Sequence, residues 1–276
     1  MTNHQRSILI TGCSTGIGFA AARDLKARGW RVFATARKPA DITRLSGIGL
    51  EVLPLEMTSA TSIAECAARA LALTDGRLGA LFSNAAYGQV GAVEDLTADV
   101  LRQQFEVNVI GLHDLTRRLI PSMRANGGGR IVQCSSVLGF MSGPYRGAYS
   151  ASKFALEGLT DALRMELHGS GVHVSLIEPG PIRTEFLSTA LALFRSNIDI
   201  ENSPHRDNYK RRLASMEAGG RSTFKLEPEA VVHQLIRALE NPRPKPRYFV
   251  TTPTYIANIL KRALPTVILD PFARKQ

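Results

Sequence analysis

A chain of 276 residues with 44% hydrophobic and 21% charged side chains can bury one large core, and its composition is that of an ordinary water-soluble domain. Cys13, Cys66 and Cys134 have neither paired spacing nor nearby histidines, which argues against a disulfide framework or a zinc site and for buried reduced thiols. The net charge of +10 is scattered, clustering only at Lys210-Arg211-Arg212 and from Arg243 to Arg247, and without a nucleic-acid motif it reads as solvated surface rather than a polyanion site.

Met1 to Ser7 is polar, and the apolar run from Ile8 to Ile10 is too short for a signal-peptide core. No apolar window reaches the roughly 18 residues that a bilayer span needs. A cytoplasmic location without an integral membrane segment is expected.

Ser7 to Thr11 (SILIT) reads as a strand, ended at once by TGCSTGIG from Thr11 to Gly18. Phe19, Ala22 and Leu25 then fall on one helical stripe, and Gly29 supplies a stop. A strand, a glycine-rich turn and a helix are the parts of a dinucleotide site. Gly12, Gly16 and Gly18 allow the backbone to turn tightly and approach a pyrophosphate, which the free N–H groups of the helix start favour.

Arg31 to Ala36 (RVFATA) closes a βαβ unit. Sites for NAD place an acidic residue near this strand end to bind the ribose 2′-hydroxyl. Thr35-Ala36-Arg37-Lys38 stands there instead. A carboxylate would repel a 2′-phosphate, whereas Arg37 can grip one bidentately and Lys38 can add a point charge, so NADP(H) is the expected cofactor.

Leu50 to Leu55 reads as a third strand, ending at Glu56-Met57-Thr58, and a helix follows from about Ser62 to Leu73. A fourth strand, Gly79 to Phe82, leads into Ser83-Asn84-Ala85-Ala86 and a long helix from about Ala98 to Ala125. Asn108 lies in that helix between Val107 and Val109, where a buried amide must find partners or cost stability. Arg130 to Cys134 reads as the fifth strand and delivers Ser135 and Ser136 at its C-terminal end, where open parallel sheets bind ligands.

The stretch SSVLGFMSGPYRGAYSASK, Ser135 to Lys153, carries the clearest chemistry. Tyr149 and Lys153 are four residues apart at the start of a helix running to about His168, so both project from one face. A cation beside a phenol favours the phenolate and brings proton exchange towards neutral pH. Val172 to Ile177 is the sixth strand, followed by Glu178-Pro179-Gly180-Pro181. Regular alternation fails from Arg183 to Leu226, apart from a basic helix around Tyr209 to Ala218, and residues 185–225 read as a substrate lid. A helix from Glu229 to Glu240 and a seventh strand from Arg247 to Val250 complete the pattern. The apolar tail, residues 251–276, is expected to pack on a partner subunit, with lipid contact as the alternative. No repeat or interdomain linker divides the chain, which reads as one domain over residues 1–276.

With its motifs in order, the chain resembles the short-chain dehydrogenase/reductase family over nearly its whole length. The matches are TGCSTGIG, SNAA where the family usually has NNAG, Asn108, Ser136, YSASK, and Pro179-Gly180 with Thr184. TGCSTGIG together with ATARK, SSVLG and EPGPIRT is similar to the branch holding 17β-hydroxysteroid dehydrogenases, retinol dehydrogenases and bacterial NADP-dependent aldehyde reductases.

The resemblance implies a single-domain α/β Rossmann fold, a seven-stranded parallel sheet with helices on both faces, assembled as a homodimer or homotetramer. It implies a tetrad of Asn108, Ser136, Tyr149 and Lys153. Tyr149 is then the general acid or base, Lys153 holds the nicotinamide ribose and lowers the phenol's pKa, Ser136 binds the substrate oxygen, and Asn108 holds a water through its backbone. Cofactor contacts are implied at Gly12, Ser14, Thr15, Gly16, Ile17, Gly18, Arg37, Lys38, Glu56, Met57, Asn84, Ala85, Tyr149, Lys153, Pro179, Gly180, Ile182 and Thr184. No metal is required. Ser83, Ala86 and Glu56 depart from the family pattern and bear on cofactor affinity. Phe140, Tyr145, Tyr87 and Phe186, with Ser136 and Tyr149, are the candidate substrate contacts, which suits a small apolar aldehyde, ketone, or steroid- or retinoid-like alcohol. A non-catalytic NADP(H)-binding regulator on the same fold is the alternative.

Overall fold

The computed structural model describes residues 6–219 and 224–274; residues 220–223 of the expected lid and 275–276 of the tail lie outside the described residues. Seven strands, β1 (Ser7–Ile10), β2 (Arg31–Ala36), β3 (Glu51–Pro54), β4 (Ala80–Ser83), β5 (Gly129–Cys134), β6 (Val172–Glu178) and β7 (Arg247–Phe249), form one sheet. All pairs are parallel, in the order β3-β2-β1-β4-β5-β6-β7. The order reverses between β1 and β4, which opens a crevice at their C-terminal ends.

Side chains alternate across each strand, so β1 feeds both faces. Ile8 and Ile10 pack with Ala21, Leu25, Val231 and Leu235, on α1 (Gly16–Ala27) and α9 (Glu229–Glu240). Leu9 faces the other way, towards α3 (Ala60–Ala72), α5 (Leu112–Ala125) and α6 (Gly147–Glu166), through Ile63, Leu115, Leu119 and Leu156. Each face of the sheet is thus covered by helices whose apolar stripes meet it.

The expected helix from 98 to 125 is continuous but changes pitch. Between α4 (Ala98–Phe105) and α5, residues Glu106–Gly111 form a π-helical segment containing Asn108. Gly111 closes that segment where a Cβ would lie 2.2 Å from the Met57 carbonyl oxygen. The absence of a side chain lets the helix touch the β3 end.

The structure adds helices that the sequence pattern left unread. α2 (Pro39–Gly47) buries only Leu45, too little to give a periodic stripe. In the lid, α7 (Phe186–Asn197) replaces an expected irregular stretch, α8 (Arg206–Glu217) falls where a basic helix around Tyr209 to Ala218 is expected, and the two build a core of their own around Phe194 and Tyr209 with Val90 and Ala92. The tail forms α10 (Thr252–Ala263) and α11 (Thr266–Ala273), with Ile256, Ile259, Val267 and Ile268 exposed. Among the described residues no helix is long and apolar enough to cross a membrane.

Candidate active site

The glycine turn leaves β1 with Gly12 at φ +72° and Gly16 at φ +57°, both in the left-handed region that favours glycine. A Cβ at Gly18 would lie 2.2 Å from the Gly12 carbonyl oxygen, so the helix start packs directly on the turn. Thr15 caps α1 in an extended conformation without a side-chain hydrogen bond, leaving the first N–H groups without a side-chain acceptor. A cradle that Cβ atoms would fill, facing an open helix start, fits a pyrophosphate. Beside it runs a cleft of about 570 Å³ lined by Ser14, Thr15, Gly16, Phe19, Arg44 and Thr184.

Several expected cofactor residues shape this turn. Asn84 donates from Nδ2 to the carbonyls of Thr11 at 3.0 Å and Gly12 at 3.3 Å. The backbone N–H groups of Asn84 and Ala85 both donate to Thr11 Oγ1 at 2.8 Å. Ile17 and Ile182 are partly buried against the core. Met57 is buried, and Pro179 accepts from the Val137 N–H at 2.8 Å, tying the β6 end to the Ser136 loop. A Cβ at Gly180 would lie 2.1 Å from Thr251 Oγ1.

At the β2 end Arg37 is 66% exposed and pairs with Glu56 at 3.4 Å. Lys38 is exposed at the start of α2. Glu56 also accepts from the Thr58 N–H at 3.1 Å and Thr58 Oγ1 at 3.0 Å. Burial pushes the Glu56 carboxyl up, but the Thr58 hydrogen bonds and Arg37 outweigh it and hold its pKa below the ordinary value.

The structure brings the tetrad together at the C-terminal ends of β4 and β5. Ser136, Tyr149, Lys153 and Asn108 are 9%, 9%, 1% and 0% exposed. Asn108 accepts from the Tyr87 N–H at 3.1 Å and donates to the Tyr87 carbonyl at 2.9 Å and Ser152 Oγ at 3.1 Å. Its amide therefore fastens the β4 loop to α6. Lys153 Nζ donates to the Cys134 carbonyl at 2.8 Å and stands 5.8 Å from the centroid of the Tyr149 ring.

The electrostatics differ from the expectation that Lys153 lowers the phenol's pKa. Burial pushes Tyr149 above the ordinary tyrosine value, with Cys134 adding to it and Ser136 and Arg146 only partly opposing. Burial pushes Lys153 down, against Cys134 and Glu157. The physical reason is that neither charged form is well solvated here and the ammonium turns to a backbone carbonyl rather than to the phenol.

The candidate substrate residues separate. Phe186 stands edge-on against Tyr149 at 5.3 Å between centroids. A Cβ at Gly88 would meet Phe186 Cζ at 2.7 Å and Tyr149 Cδ2 at 3.4 Å, so Gly88 and Phe186 both pack against the phenol ring. Phe140 instead meets Phe249 at 6.1 Å, and Phe249 meets Tyr255 of α10. Tyr145, at a strained φ of +64°, sends its ring into the lid between His205, Tyr209 and the Arg212 guanidinium. Tyr87 is tied through its backbone to Asn108. Sequence reasoning missed Gly88, Ser152 and the Cys134 carbonyl. Only Ser152, between Tyr149 and Lys153, had a positional signal.

A family model described as short chain dehydrogenase matches residues 6–192. This chain belongs to the short-chain dehydrogenase family. It is 43% identical over 266 residues to the uncharacterized oxidoreductase YbbO of Escherichia coli K12, covering 96% of this chain and 93% of that one. It is 34% identical over 261 residues to human 17-beta-hydroxysteroid dehydrogenase type 1, covering 88% and 77%. A short-chain dehydrogenase structure from Streptomyces avermitilis superposes with TM-score 0.78 at 31% identity, covering 91% of this chain and 90% of that one. Two further structures at 25% identity hold nicotinamide cofactors. One is from Burkholderia phymatum, in complex with NAD at TM-score 0.75, covering 92% and 91%. The other is a single-residue variant of an actinorhodin polyketide ketoreductase with NADPH at TM-score 0.72, covering 90% and 97%. The chain is accordingly an oxidoreductase of a nicotinamide-binding family.

Proposed function

We propose that this oxidoreductase transfers hydride between NADP(H) and the carbonyl carbon of an apolar aldehyde, ketone, or steroid- or retinoid-like substrate. The observation that carries the proposal is the joint burial of Ser136, Tyr149 and Lys153, a hydroxyl, a phenol and an ammonium, with Phe186 against the phenol ring.

When bound, the nicotinamide supplies hydride for reduction or accepts it in oxidation. The glycine turn and the open start of α1 hold the pyrophosphate, and Arg37 leaves its long contact with Glu56 for the more strongly charged 2′-phosphate. Ser136 Oγ donates to the substrate carbonyl and orients it towards Tyr149. The Tyr149 phenol gives its proton to that oxygen in reduction and takes it back in oxidation. Burial keeps the phenol protonated at neutral pH but makes it a weaker acid than a free tyrosine, so the proton passes only as negative charge develops on the substrate oxygen. Lys153 and the Cys134 carbonyl fix the other side of the phenol. Phe186 and Gly88 exclude water, so the hydrogen bonds act in a low dielectric.

The test follows NADPH and, in parallel, NADH absorbance against medium-chain and aromatic aldehydes, retinal and steroid ketones. NADPH oxidation with an apolar carbonyl is expected, and Tyr149→Phe should lower kcat by about 100-fold or more while leaving NADPH affinity within about twofold. Retained turnover in Tyr149→Phe sinks the proposed chemistry.

A further inference from the structure

Behind the tetrad lies a buried charge cluster that the proposed reaction does not use. Arg247, read from the sequence as part of a solvated basic run, has a side chain only 24% exposed, because it starts β7 against the sheet and meets three carboxylates. Its Nη1 donates to Glu157 and Glu178, and its Nη2 pairs with Asp161 at 2.6 Å. The side chains of Glu157 and Glu178 are 7% and 0% exposed. Glu178 Oε2 has no hydrogen-bond partner among the described residues.

Glu157 has two attachments. It stands four residues after Lys153 in α6, and its Oε1 accepts from Ser135 Oγ at 2.5 Å. Ser135 lies between Cys134, whose carbonyl receives Lys153, and Ser136. A Cβ at Gly139 would lie 2.4 Å from Ser135 Oγ and 2.7 Å from Glu157 Oε1, so the loop after Ser136 closes directly over this bond. One carboxylate thereby joins the helix carrying Tyr149 and Lys153 to the strand end carrying Ser136, while Arg247 holds it from the far side.

We propose that Glu157 is a positioning residue for the tetrad: anchored by Arg247 and Ser135, it fixes Ser136 against α6 and places a negative charge one turn below Lys153. The inference rests on the proposed roles of Tyr149 and Lys153. The charged and titratable groups around Glu157 are Lys153 and Asp161 on α6, with Arg164 beyond Asp161, Glu178 on β6, Arg247 on β7 and Cys134 on β5. A negative charge here favours the ammonium of Lys153, opposing the effect of burial, and disfavours the phenolate of Tyr149. Removing it should lower the pKa of Lys153, the group on which it acts directly.

The experiment compares Glu157→Gln, Ser135→Ala and Tyr149→Phe with the parent enzyme, measuring NADPH affinity by fluorescence, thermal stability, and kcat for carbonyl reduction against pH. Glu157→Gln keeps the volume and an acceptor for Ser135 but removes the charge. Its alkaline limb is expected to move to lower pH by about half a unit or more, with NADPH affinity within about twofold of the parent. A folded Glu157→Gln enzyme with an unmoved limb, whatever its melting temperature, overturns the proposal, since a merely structural residue would alter only stability. Ser135→Ala retains the charge, so kcat should fall about tenfold without a shift of the limb. If Glu157→Gln fails to fold, parental kcat in Ser135→Ala overturns the proposal instead. Retained turnover in Tyr149→Phe defeats the underlying chemistry and this inference with it, whereas loss there with an unmoved Glu157→Gln limb defeats this inference alone.

Discussion

Phe186, the first residue of α7, lies edge-on against Tyr149 with ring planes at 62°. The contact joins the lid to the phenol on which the proposed chemistry depends. Under the proposed function, a carbonyl approaching Tyr149 would meet this ring, which gives the lid a part in substrate choice.

Phe186→Ala should widen the approach to Tyr149. The ratio of kcat/KM for bulky over small aldehydes is expected to rise by about tenfold. Because burial is the main cause of the raised phenol pKa, the alkaline limb should also move to lower pH. An unchanged substrate ratio would place the pocket elsewhere.

Arg37→Ala should weaken NADPH by about tenfold or more and leave NADH within about twofold, read by fluorescence titration at fixed salt. Glu56→Gln should act in the opposite sense on NADPH, since it removes the carboxylate that holds Arg37 at 3.4 Å. Equal losses for both cofactors in Arg37→Ala would mean that the 2′-phosphate is recognised by another residue.

Glu178 makes stability depend on pH. Burial, with the neighbouring Glu157, pushes its carboxyl from 4.5 up to about 8, against Arg247. A carboxyl that binds its proton more tightly in the folded chain stabilises the fold fully below its unfolded pKa and loses that contribution as pH rises towards its folded value. Glu178→Gln should therefore melt at a higher temperature than the parent above about pH 8, with the gap closing towards about pH 4.5. A constant gap across this window in thermal unfolding would show that Glu178 does not titrate there.

Asn108→Leu should orphan the Tyr87 N–H, whereas the Tyr87 carbonyl keeps Gln104 and the Ser152 hydroxyl keeps the Tyr149 carbonyl. With one buried donor orphaned, a loss of about 1–3 kcal/mol is expected in denaturant unfolding. Near-parental stability would mean that the π-helical segment relaxes to pair this group otherwise.

The strands were legible because SILIT, RVFATA and RIVQC are short, β-rich and punctuated by glycine, and the spacing of Tyr149 and Lys153 placed both on one helix face. Less legible were features fixed by distant partners. α2 buries little beyond Leu45, and α7 acquires an apolar side only by closing around Tyr209. The pitch change around Asn108 coincides with the close approach of Gly111 to Met57, far away in sequence. Lys153 turns to a backbone carbonyl, and a carbonyl leaves no mark in a sequence. Arg247 looked like one cation among several because its three carboxylates come from two other elements, α6 and β6.

That last separation bears on the order in which the molecule can be made. Glu157 and Arg247 are 90 positions apart, and the guanidinium enters with the final strand of the sheet. During synthesis the glycine turn and β1 to β5 emerge first, while Glu157, Asp161 and Glu178 wait for their counter-charge. Until β7 docks, Glu157 and Asp161 lack the guanidinium that holds them in the finished fold. The last strand thereby supplies the contact that ties α6 and the β6 end to the finished sheet.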